Sequence, residues 1–108
     1  MDSIDYKTLI ETRNELLKVN NNRVVDEIIR ILKNNEIEKS AKHNKLNDKN
    51  TSHYVVDLKL EYIDEIIELF GDLETKSLSE KYESTPESIK FSRIVDKWNN
   101  IIESQGIL

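Results

Sequence analysis

Between residues 54 and 73 the chain reads YVVDLKLEYIDEIIELFGDL, its densest apolar run. Val55, Leu58, Tyr62, Ile66, Leu69 and Leu73 recur at steps of three or four, the spacing of one stripe along an α-helix. A strand fits part of the same run. Val56, Leu58, Leu60 and Tyr62 alternate with polar positions, and Val and Tyr favour strands. No other segment reads as a strand partner, and a lone strand would leave its backbone groups unpaired. The run is therefore read as a helix, and the other elements are placed around it.

Before it, Tyr6, Leu9, Ile10, Leu16 and Leu17 form the apolar side of a first helix, interrupted by Arg13. Ser3 can cap that helix, with Asp5 in the first turn, where a carboxylate meets the positive end of the dipole. The helix should stop near Val19, because Asn20, Asn21 and Asn22 favour a turn. Asn22 is the expected N-cap of a second helix lined by Val24, Val25, Ile28, Ile29, Ile31 and Leu32, with Ile37 closing it. Asp26 and Arg30 form an i,i+4 pair on it, worth about 0.2–0.5 kcal/mol. So short a connection makes the two helices antiparallel neighbours, and residues 1–39 read as a helical hairpin.

Residues 40–52 read as a basic, flexible linker. The stretch 39–52, KSAKHNKLNDKNTS, has four lysines, one leucine and many turn formers. Thr51 or Ser52 can cap the helix that follows. Gly71 either ends that helix or sits inside it at a cost of about 1 kcal/mol. Leu73, Leu78 and Tyr82 continue as a looser stretch. Thr85-Pro86-Glu87 is the clearest helix start: a hydroxyl at the N-cap, proline where no N–H is needed, acid in the first turn. Ile89, Phe91, Ile94, Val95, Trp98, Ile101 and Ile102 line this last helix, Trp98 reads as a core anchor, and Gly106 can terminate it.

These elements predict an all-α fold. It would be a compact bundle of four to five amphipathic helices, with residues 1–108 as a single domain and 53–108 as its acidic half. The two hairpins would pack across Ile28, Ile66, Phe70, Ile94 and Trp98. Composition sharpens this picture. Hydrophobic residues are 37% and charged residues 34%, which fits a thin core or helices that complete their core against a partner. Residues 1–50 hold ten Lys/Arg against nine Asp/Glu, whereas residues 51–108 hold six against twelve. The acidity thus sits in the second half, and the net charge of −5 argues against a general nucleic-acid-binding surface.

Candidate chemistry is sparse. The absence of cysteine excludes disulfides and Cys-ligated zinc. His43 and His53 each lack a His or Cys at helical metal-ligand spacing, two glycines provide no phosphate-cradling loop, and no serine has an adjacent base. The N-terminus lacks the apolar stretch of a signal peptide, and no apolar run is long enough to span a bilayer. What stands out is acid on the organising helix: Glu61, Asp64, Glu65, Glu68 and Asp72.

Glu65 and Glu68 form an ExxE, similar to one motif of the all-helical, Mg²⁺-dependent nucleotide pyrophosphatases. The second motif of that family, ExxD on a neighbouring helix, has no counterpart here, since Asp96 has Arg93 at i−3. Magnesium needs oxygen ligands from more than one converging element. A different resemblance joins the ends of the chain. The opening hairpin with LKNNEI (32–37) and the final FSRIVDKWNNII (91–102) resemble the ends of the N-terminal helical domain of transcription elongation factor S-II. That resemblance implies an N-terminal docking domain for a short disordered peptide, in the nucleus. The most specific segment of that family, T-x-x-G-x-x-V-N-x-L-R-K-H, is missing.

The functional expectation is a non-catalytic, cytoplasmic interaction or regulatory module of the antitoxin, immunity, phage or viral inhibitor, or adaptor type. Its binding surface would be the acidic face of Glu61, Asp64, Glu65, Glu68 and Asp72. The partner would be a basic protein or short peptide, not a membrane or nucleic acid. No cofactor or metal is implied, and a homodimer is a further arrangement that the sequence allows.

Overall fold

The computed structural model describes residues 3–37, 52–78 and 83–104. In order they form β1 (Ser3–Asp5), α1 (Tyr6–Lys18), α2 (Asn22–Asn34), β2 (His53–Val55), α3 (Leu60–Lys76) and α4 (Pro86–Ser104). Helices account for 74% of these residues, so the fold is mostly helical with four helices, as expected in outline, beside one small two-stranded sheet that the expectation did not include. The chain divides into two compact units, Met1–Leu58 and Lys59–Leu108.

The main correction lies in the first unit. The organising helix begins at Leu60, and the residues before it are extended. Helical phase gives the reason. Continued backwards, α3 would carry Tyr54 onto the side of Glu61 and Asp72, and would bring Lys59 round to the side of Ile63 and Phe70. As an extended segment the same residues alternate: Ser52, Tyr54, Val56 and Leu58 are buried, while His53, Asp57 and Lys59 are exposed.

The backbone of that segment also finds partners. β2 runs antiparallel to β1 with Ser3 opposite Val55, Ile4 opposite Tyr54 and Asp5 opposite His53. On its other side Glu36 bridges Tyr54. The Val55 N–H donates to the Asn35 carbonyl at 3.0 Å, and the Ile37 N–H donates to the His53 carbonyl at 2.8 Å. Ser52, expected as a helix cap, instead precedes the strand and accepts from the Tyr6 N–H at 3.1 Å. The Tyr6 and Tyr54 rings lie 6.3 Å apart, tilted against each other.

Because Ser3 is taken up by β1, the N-cap of α1 is Asp5, whose carboxylate accepts from the Thr8 N–H at 3.2 Å and the Thr8 hydroxyl at 2.8 Å. The buried side of α1 is Thr8, Leu9, Thr12 and Leu16, while Leu17 is exposed. A buried threonine is tolerated here because the Thr12 hydroxyl donates to the Thr8 carbonyl at 2.7 Å. Arg13 is half-buried, and its Nε has no hydrogen-bond partner among the described residues. The α1–α2 turn is made by asparagines as expected, with Asn20 at φ 59°. The N-cap of α2, however, is Asn21 rather than Asn22. Val24, Val25, Ile28 and Ile31 are the buried positions of α2.

In the second unit α3 and α4 pack against each other. Thr85 caps α4: its hydroxyl accepts from the Ser88 N–H at 3.1 Å, and the Ser88 hydroxyl accepts from the Thr85 N–H at 2.8 Å. The Thr85 hydroxyl also donates to the Ser77 carbonyl, which fixes the start of α4 beside the end of α3 and turns the chain back on itself. Ile63, Ile66 and Phe70 of α3 and Ile94, Trp98, Ile101 and Ile102 of α4 are buried, and the Phe70 and Phe91 rings lie 5.9 Å apart. Gly71 lies inside α3, not at its end. Residues 39–51, and with them His43 and most of the expected linker, lie outside the described residues, as do Tyr82 and Gly106.

Candidate acidic interface

α3 is amphipathic, but its buried stripe is turned by about 60° from the one the sequence spacing picks out. Ile63, Ile66 and Phe70 are fully buried, whereas Tyr62, Leu69 and Leu73 are half-buried at the flank. The expected stripe was anchored on Val55 and Leu58, which belong to the extended segment.

The true phase places the five candidate residues together. At about 100° per residue, Glu61, Asp64, Glu65, Glu68 and Asp72 fall within an arc of about 100°, centred opposite Ile63 and Phe70. Glu61, Asp64, Glu68 and Asp72 are exposed; Glu65 is half-buried and engaged in contacts of its own. Glu61 in the first turn is favoured by the positive end of the helix dipole, and Lys76 complements the last turn. Like charges at i,i+4, such as Asp64 and Glu68, are mildly unfavourable on one helix.

Three of the six Lys/Arg of the second unit lie on the other helix. Lys90, Arg93 and Lys97 are exposed along one side of α4, and the Lys90 ammonium stands 5.5 Å from the centre of the Phe91 ring. Steps of three and four make this basic row visible in the sequence. Asp96 is exposed on α4. Among the described residues, no three His, Asp or Glu side chains come together in a way that could hold a metal ion.

Models of protein families, curated proteins and solved structures were compared with the chain, and none matches.

A second charged cluster belongs to the first unit. Arg30 makes a two-pronged contact with Asp57, at 2.9 and 3.1 Å, and its Nε donates to Glu27 at 2.6 Å. The expected Asp26–Arg30 pair is thus replaced by Glu27 and Asp57. The Asn35 amide donates to the Val55 carbonyl at 2.9 Å and to Asp57 at 3.2 Å. The hydrogen bond from Arg30 is the main reason the Asp57 carboxyl is held below its ordinary value of 3.8. Every charge here has a partner, and the cluster ties β2 to α2. Its role is to hold the fold. His53 points outward from β2, exposed.

Proposed function

We propose that this protein is a non-catalytic interaction or regulatory module that docks a basic protein through the exposed acidic face of α3. The observation that supports this most is the arc of Glu61, Asp64, Glu68 and Asp72, set opposite the buried side of a helix whose other face is already committed to α4. Such a face is solvated, carries charge of one sign and needs no rearrangement to meet a positively charged surface. An antitoxin, an immunity protein, a phage or viral inhibitor and an assembly adaptor are the types of module this reading covers.

The charge balance supports the same reading. Residues 1–58 hold ten Lys/Arg and ten Asp/Glu, while residues 59–108 hold six and eleven, so the second unit carries the whole net charge of −5. No helix of the described residues is long and apolar enough to cross a membrane.

The test is affinity capture from the native host with the wild-type chain and with Asp64→Lys/Glu68→Lys. Both positions are exposed, so the variant keeps the fold, with an unchanged circular dichroism spectrum. A basic protein held by the wild type and lost from the variant is the expected result. Equal capture by both places the contact elsewhere on the surface.

A further inference from the structure

We draw no further inference here: the strongest candidate, the acidic arc of Glu61, Asp64, Glu68 and Asp72 on α3, belongs to the site already described and has no second feature marking a ligand, and the next, the exposed Leu17 and Val19 at the end of α1, has nothing in the structure to show what covers it.

Discussion

Trp98 has no accessible surface, and its neighbours on the inner side of α4 are Ile94, Ile101 and Ile102. Truncation at Trp98 leaves a cavity that the surrounding aliphatic side chains fill only in part. Trp98→Ala should therefore cost roughly 3–5 kcal/mol in urea-induced unfolding, and an unchanged midpoint would show the indole to be dispensable for the core. Gly71 predicts the opposite sign. It lies within α3, and a Cβ placed there would meet nothing within 4 Å. Gly71→Ala removes backbone freedom from the unfolded chain without a clash, so it should stabilise by roughly 0.5–1 kcal/mol, seen as a higher urea midpoint. Loss of stability instead would mean that the backbone at Gly71 is not helical.

At the scale of elements, β2 is the part of the fold that depends most on distant residues. Its extended conformation is held by β1, by Glu36 and by the Arg30–Asp57–Asn35 contacts. Asp57 has a depressed folded pKa, so its contribution is fully present above its ordinary value of 3.8 and is lost as pH falls through the folded value. The Asp57 side chain is 52% exposed, which screens the pair and limits its contribution to about 1 kcal/mol or less. Asp57→Asn should thus be modestly less stable than the wild type near neutral pH, and the gap should close in acid, as read from urea unfolding of both proteins. A gap that persists in strong acid would show that packing, not charge, ties β2 down. The same element shows why the sequence predicts a helix where the structure has a strand. Its partners are Ser3–Asp5, in which Ser3 and Asp5 are also helix-capping types, and Asn35 to Ile37, which reads as the tail of α2. Pairing between segments about fifty residues apart leaves no local pattern. Where the signal is local it was legible: the Thr85-Pro86-Glu87 start, the asparagine turn, and burial at Ile28, Ile66, Phe70, Ile94 and Trp98. The grouping of the five carboxylates on one helix is legible in the sequence, whereas the phase of that helix is not, because Val55 and Leu58 of the extended segment draw the apolar stripe away from Ile63 and Phe70.

At the scale of the whole molecule, charge is the property that separates the units: residues 1–58 are balanced and residues 59–108 are acidic. A helix face of one sign acts over roughly a Debye length, about 8–10 Å at physiological ionic strength, so it speeds encounter more than it deepens affinity. Charge reversal on that face should change the association rate and its response to salt, with a smaller effect on dissociation. The most direct test is the rate of association with the captured partner, measured at low and at physiological ionic strength, for the wild type and for Asp64→Lys/Glu68→Lys. Docking through α3 predicts a wild-type rate that falls steeply with salt, and a variant that associates several-fold more slowly at low salt with a flattened salt dependence. An unchanged rate and an unchanged salt slope in the variant would contradict it.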